Sequence, residues 1–296
     1  MTARTAVPRL PTGPGVYRFR DARGRVLYIG RASNLRSRVG SYWGDLRDRR
    51  HLTPMVPAIA RIEAVCCASR HEAAWLERNL HEARLPYWNR TAGGAEVPVY
   101  LRLDDRLRVV HERTAGARCF GPYLGGLQMR TAVAALHRAL PLAYAAAGLR
   151  GAEAEMARAL GVATSDRVGL RAAIVAVLER DPAAVATIRT ELVRRREAAA
   201  AAQGFERAGR LQDEIAALDW TTAEQRVTAL EPYDADVYGW SGGLLVRFEI
   251  QAGRLSGWTL RRCGAETGAA RVAATPPLWV DFAQQNAELA ATLALN

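Results

Sequence analysis

The sequence predicts an α+β protein: a small antiparallel sheet flanked by helices at the start, a helical middle, and a short β segment with one helix at the end. Three observations carry this. Between Gly15 and Tyr42 two strand-forming runs are joined by a turn and followed by a short helical pattern. Residues 151–219 are alanine-rich and repeat apolar residues at helical spacing. Residues 233–262 alternate apolar and polar side chains between glycine-containing turns.

Taken in order, residues 1–12 read as a short polar lead. Val16, Phe19, Val26, Leu27 and Ile29 are strand formers, and Asp21-Ala22-Arg23-Gly24 is the turn between them. Asn34 or Ser33 can cap the next helix, whose Leu35 and Val39 make a buried side; Arg31, Arg38 and Tyr42 are expected to share another. Asp45–His51 reads as a charged loop, and Ala58–Cys67 as a third strand with Ile59, Ile62, Val65 and Cys67 as apolar members. Ser69-Arg70-His71-Glu72 has the form of a capping box. It opens a helix over Arg70–Leu85 with Ala73, Leu76, Leu80 and Ala83 facing the sheet, stopped by Pro86.

Residues 97–112 read as a hairpin, Arg118–Tyr123 as a turn, and Met129–Leu140 as an apolar helix. Residues 151–181 are helical, and 182–219 form a helical hairpin with Gly204 at the turn. Phe205, Ala208, Leu211, Ile215 and Leu218 make the apolar stripe of its second helix. Strands follow at Ala235–Trp240, Leu244–Gln251 and Arg254–Arg262, and then one helix, Leu278–Leu295.

A chain of 296 residues, 49% hydrophobic, has room for two or three domains with real cores. Its formal charge of +11 points to an anionic partner. It contains no lysine: all 41 basic residues are arginine, which together with the abundant alanine suggests a GC-rich coding sequence. Twelve arginines and three acids in residues 1–50 give a balance of +9, so the excess surrounds the tyrosine-bearing hairpin. The four cysteines have no zinc or iron–sulfur spacing, and a reducing cytoplasm is the expected location. The sequence shows neither a signal peptide nor an apolar run long enough to span a membrane.

The hairpin and helix bring Tyr17 and Tyr28 towards Arg31 and Arg38. A phosphodiester needs an acid or base near its attacking water and cations near its developing charge. Phenols and guanidinium forks supply these. Gly15-Val16-Tyr17 and Tyr28-Ile29-Gly30 resemble the two halves of the GIY-YIG nuclease motif. The fuller run from Leu10 through Leu35 resembles the start of the UvrC family, the incising subunits of bacterial nucleotide excision repair, and the shorter homologue Cho.

The resemblance implies a domain plan: a GIY-YIG nuclease domain over 13–92, a linker hairpin and helical region over 93–181, a UVR-like helical hairpin over 182–230, and a truncated RNase H-like β segment with a helix over 231–296. It implies that Glu77, which precedes Asn79-Leu80 in the family's helix, binds a single Mg²⁺ or Mn²⁺. One carboxylate with waters is a normal quota for such a hard cation. It implies that Tyr17 helps activate the attacking water with Tyr28 nearby, that Arg38 and Arg31 neutralise phosphoryl charge, and that Tyr42 and Asn89 position these groups. A phenol ordinarily titrates near pH 10, and the nearby cations are expected to lower the pKa of Tyr17. The family usually has lysine where Arg31 stands; arginine preserves the charge but is a poor proton donor.

Phe120-Gly121-Pro122-Tyr123 and the helix after it also resemble UvrC, and no cysteine-rich segment follows, so no iron–sulfur cluster is expected. Phe205–Ile215 resembles the UVR motif that docks on UvrB, with Gly209 in place of the usual alanine at a cost of roughly 1 kcal/mol of helix propensity. The function implied is one 3′-side incision in damaged duplex DNA, with UvrB as partner and no second nuclease domain. The rival readings are a non-catalytic adaptor for UvrB and DNA, and a homing or restriction nuclease. The full set of Tyr17, Tyr28, Arg38, Glu77 and Asn89 opposes the first; the UVR-like helices oppose the second.

Overall fold

The structure, a computed structural model, describes residues 3–89 and 96–294. It is the mixed α+β chain expected, sorted into two compact units. One joins Met1–Ala95 to Gln225–Asn296; the other is Glu96–Glu224. The segment after 230, which the sequence sets apart as its own region, thus shares a unit with the N-terminal hairpin.

The first unit is built on a three-stranded antiparallel sheet with β1 (Gly15–Arg20) between β2 (Val26–Ala32) and β3 (Arg61–Cys66). The turn between β1 and β2 closes as its residues demand. The Asp21 carboxylate accepts from the backbone N–H groups of Arg23 and Arg25, and Gly24 takes a positive φ of 78°. Asn34 caps α1 (Leu35–Gly40) by accepting from the Ser37 N–H at 2.9 Å.

The polar lead is not peripheral. It forms a 3₁₀ segment, Ala3–Arg9, and Ala3 and Leu10 enter the core. The charged loop is also ordered, as 3₁₀ turns over Arg47–Ala58 that bury Leu52 and Met55. Period-two reasoning cannot detect such turns, because their apolar residues fall three apart.

The helix α2 (Arg70–Ala83) starts with Ser69 accepting from the Glu72 N–H at 3.0 Å. The Glu72 carboxylate also accepts from the Ala68 N–H at 2.6 Å, and its other oxygen accepts from the Arg226 N–H at 2.8 Å.

The C-terminal part of this unit is a meander, β7 (Ala235–Ser241), β8 (Leu244–Gln251) and β9 (Arg254–Arg262), followed by α8 (Ala265–Val272) and α9 (Val280–Ala294). The last expected residue of the final helix, Leu295, lies outside the described residues. α8 is an addition that the sequence reading did not include. The meander is anchored to the N-terminal sheet. Arg18 of β1 is buried, lies 3.7 Å over the Trp258 ring, donates to the Trp258 carbonyl at 2.8 Å and pairs with Glu63. Its desolvation lowers its pKa to about 10. Asn286 of α9 accepts from the Cys66 N–H at 2.7 Å and donates to the Cys66 carbonyl at 3.2 Å, closing the outer edge of β3. α9 lies so close to β7 that a Cβ on Gly239 would stand 2.0 Å from the Ala283 carbonyl oxygen.

The second unit pairs β4 (Val99–Leu103) with β5 (Leu107–Val110) and β6 (Arg118–Tyr123). Arg118–Tyr123, expected as a turn, is therefore a strand: the free edge of β4 needs a partner, and Phe120 and Tyr123 enter the core beneath it. Helices α3 (Gly126–Ala139), α4 (Gly151–Ala159), α5 (Arg167–Leu178), α6 (Pro182–Ala201) and α7 (Phe205–Thr222) follow. α6 and α7 are antiparallel, with Arg189 paired to Asp219 and Arg196 donating to Gln212. Leu211, Ile215 and Leu218 are buried as their spacing requires, but Phe205 is 72% exposed at the start of α7.

Asn79 of α2 is buried and donates to the Val227 carbonyl and the Thr228 hydroxyl at 3.0 and 2.9 Å. Asn79→Ala leaves both acceptors without this donor and is expected to lower unfolding stability by roughly 1–3 kcal/mol. Urea denaturation reads this directly; an unchanged midpoint would show that this tether contributes nothing.

Candidate active site

The alternation of β1 sends Tyr17 and Phe19 to the face covered by α1 and the 3₁₀ turns. Tyr17 pairs across the sheet with Gly30, and a Cβ at Gly30 would stand 2.5 Å from the Tyr17 hydroxyl. The glycine of the second half-motif is therefore a space requirement of the tyrosine in the first. Tyr42 comes from the 3₁₀ turn Ser41–Trp43 that continues α1. Tyr42 and Arg31 thus depart from the sequence reading: Tyr42 is buried with Leu35 and Val39, and Arg31 belongs to β2 rather than to the helix.

Three phenols meet here. The Tyr17 and Tyr42 hydroxyls are 2.8 Å apart, and Tyr28 also hydrogen-bonds Tyr42. The rings of Tyr17, Tyr28 and Tyr42 lie with centroids 5.9–6.2 Å apart above Phe19. Arg38 donates to the Tyr17 oxygen. Tyr17 is wholly buried, whereas Tyr28 is only partly so. Tyr28 is therefore the phenol of the three with most access to a reactant.

Burial pushes all three phenols above their ordinary range. Arg38 pulls Tyr17 down, as the sequence reading expected of a nearby cation, but desolvation outweighs it, so the net shift is upward. The phenols are neutral donors and acceptors at neutral pH. Arg38 is itself partly desolvated, but the surrounding tyrosines outweigh this and raise its pKa.

The free edge of β2 collects the remaining groups. Asn89 accepts from the Ile29 N–H at 3.0 Å and donates to the Ile29 carbonyl at 2.7 Å, so it holds the backbone next to Tyr28. Two residues along, the Glu77 carboxylate accepts from the Arg31 N–H at 3.0 Å, and its second oxygen lies 3.3 Å from Arg31 Nε. The charge of Glu77 also pushes Tyr28 upward. One strand thus carries a phenol and a cation, with a carboxylate and an amide fixed to its edge.

Among the described residues no group of three or more His, Cys, Asp and Glu side chains could hold a metal ion. Glu77 is the carboxylate at the cluster, and its side chain is 22% exposed. That donor set fits a hard, mostly hydrated divalent ion and does not fit zinc.

Two members of the site escaped the sequence reading. Arg49 lies 4.8 Å over the Tyr42 ring and donates to the Ser41 hydroxyl; its only sequence signal is its place in the run Asp45–His51. His81 is buried one turn beyond Glu77 and bonds the Ile29 backbone, while its Nε2 has no partner among the described residues. Desolvation lowers its pKa against the pull of Glu77. The i, i+4 spacing from Glu77 was the available signal.

Residues 13–90 match the family of UvrC-like GIY-YIG domains. The UvrABC system protein C of Mycobacterium sp. (strain KMS) is 34% identical over 288 residues, covering 89% of this chain and 43% of the relative. That of Acidothermus cellulolyticus is 33% identical over 258 residues, covering 79% and 39%. The chain thus spans about 43% of the length of the first of these relatives. Among solved structures, the GIY-YIG N-terminal endonuclease domain of UvrC from Thermotoga maritima, bound to magnesium, is 29% identical. It covers 29% of this chain and 94% of its own, with a TM-score of 0.27.

The raised phenols have a consequence for alkaline pH. Above pH 10 the unfolded chain releases these protons while the folded chain keeps them, so stability falls as pH rises beyond 10. In a spectrophotometric titration, the phenolate signal of Tyr17, Tyr28 and Tyr42 is expected to appear together with unfolding. Ionisation of all nine tyrosines near pH 10 in the folded protein would contradict the burial described.

Proposed function

Because the chain belongs to the UvrC family, we propose that it is a metal-dependent endonuclease of nucleotide excision repair that makes one 3′-side incision in damaged duplex DNA, with UvrB as its partner. The observation that carries this is the composition of β2: Tyr28 partly open to solvent, Arg31 three positions along the same strand, Glu77 on its edge, and Arg38 behind in the phenol network.

In this reading Glu77 holds a single Mg²⁺ or Mn²⁺, which supplies Lewis-acid stabilisation of phosphoryl charge. Tyr28 faces the phosphate. Tyr17 is buried, so it acts on the water through the Tyr17–Tyr42–Tyr28 hydrogen bonds rather than by direct contact. Arg38 and Arg31 neutralise charge on the phosphoryl oxygens. Tyr42 joins the two other phenols, and Asn89 keeps the strand in register with them. Binding to DNA draws on the +9 balance of residues 1–50.

The α6–α7 pair is the proposed UVR-like element, and Phe205, exposed at its tip, is the side chain offered to UvrB. No helix among the described residues is long and apolar enough to cross a membrane. The cytoplasm, where DNA and UvrB are met, is the proposed location.

The second reading, a non-catalytic adaptor for UvrB and DNA, draws on one observation: both Glu77 oxygens are engaged by Arg31. A labelled duplex with one bulky adduct, incubated with UvrA, UvrB, ATP and Mg²⁺ or Mn²⁺, separates the two. The wild type is expected to make a single 3′ cut. Glu77→Ala is expected to lose it by about 10²–10³-fold or more while still binding DNA. No cut by the wild type despite a complex with UvrB and DNA would favour the adaptor; equal loss of cutting and binding in Glu77→Ala would sink the metal-ligand assignment.

A further inference from the structure

Arg31 is both the cation nearest the proposed metal ligand and the residue occupying it. Its backbone N–H holds one Glu77 oxygen at 3.0 Å, and its Nε lies 3.3 Å from the other. The first bond belongs to the strand edge and leaves that oxygen a free lone pair. The second is made by a half-exposed group: the Arg31 side chain is 48% exposed, against 22% for Glu77. A long, half-exposed ion pair is weak. It is still sufficient to put a positive charge where a divalent ion has to approach.

We propose that Arg31 guards Glu77 and is drawn off by a DNA phosphate, so that DNA and the divalent ion bind this site cooperatively. This rests on the reading of Glu77 as the metal ligand. The physical reason is a switch of partners. A phosphodiester offers the guanidinium two oxygens in the geometry of its fork, a better match than one carboxylate oxygen at 3.3 Å. When the guanidinium turns to the phosphate, Glu77 loses its counter-charge and gains affinity for a cation. The ion in turn repels Arg31 towards the phosphate. The coupling is reciprocal: whatever factor DNA adds to ion affinity, the ion adds to DNA affinity at this site. Without DNA the protein carries the ion weakly, which keeps the proposed nuclease idle until it is seated.

The test is Mn²⁺ binding, read by the electron paramagnetic resonance of the free ion, with cleavage not required. The proteins are the wild type, Arg31→Gln, Arg31→Lys and Glu77→Gln, each alone and with a short undamaged duplex. Glu77→Gln serves as the baseline, because it subtracts Mn²⁺ held by the DNA itself. Alone, Arg31→Gln is expected to bind Mn²⁺ about two- to fivefold more tightly than the wild type, the scale of one exposed ion pair. With duplex, the wild type is expected to gain a similar factor and Arg31→Gln little or none. Arg31→Lys keeps the charge and is expected to retain the coupling. Equal Mn²⁺ affinity of the wild type and Arg31→Gln without DNA would overturn the guard. Binding that Glu77→Gln does not reduce in any of them would overturn the metal assignment beneath it.

Discussion

The pleat of β1 is the constraint on which the first unit depends. Tyr17 and Arg18 are consecutive residues on the central strand of a three-stranded sheet, so they must point to opposite faces. Both faces are buried. A small sheet gains its stability from packed apolar faces, and each face here has its own cover. α1, the N-terminal 3₁₀ segment and the turns of Arg47–Ala58 lie over Tyr17 and Phe19. On the other side Arg18 is held by Glu63 and the Trp258 ring and carbonyl. A one-residue slip of this strand would place a guanidinium among the phenols and a phenol beneath the meander.

The same arrangement divides the site into a dry part and a wet part. Tyr17 and Tyr42 are sealed, and their ionisation is opposed by burial more strongly than Arg38 favours it. They order the network rather than supply a ready base. Tyr28, Arg31 and Glu77 lie along the outer edge of β2 and are partly open to solvent. An unpaired strand edge is usually a liability. Here its N–H and carbonyl groups are taken by Asn89, Glu77 and His81, so that capping the edge and placing these side chains are one act. The opposite edge is closed by Asn286 of α9 with the same pair of bonds, which gives the C-terminal helix a part in holding the sheet.

Sequence alone determined the local pieces. Strand alternation, the Asp21–Gly24 turn, the Asn34 and Ser69 caps, the α2 spacing and the meander turns each depend on residues within a few positions of one another. The pairing of Gly30 with Tyr17 is legible for the same reason, since a short hairpin fixes its own register. Tertiary structure decided what depends on distant chain. It buried Tyr42 among Leu35 and Val39, tied a Glu72 oxygen to the Arg226 N–H, made a strand of Arg118–Tyr123, and left Phe205 outside its stripe. It also set the direction of the Tyr17 shift. A nearby cation can be inferred from spacing, but the desolvation that outweighs it is the sum of every element packed over the ring, and no stretch of sequence contains that sum.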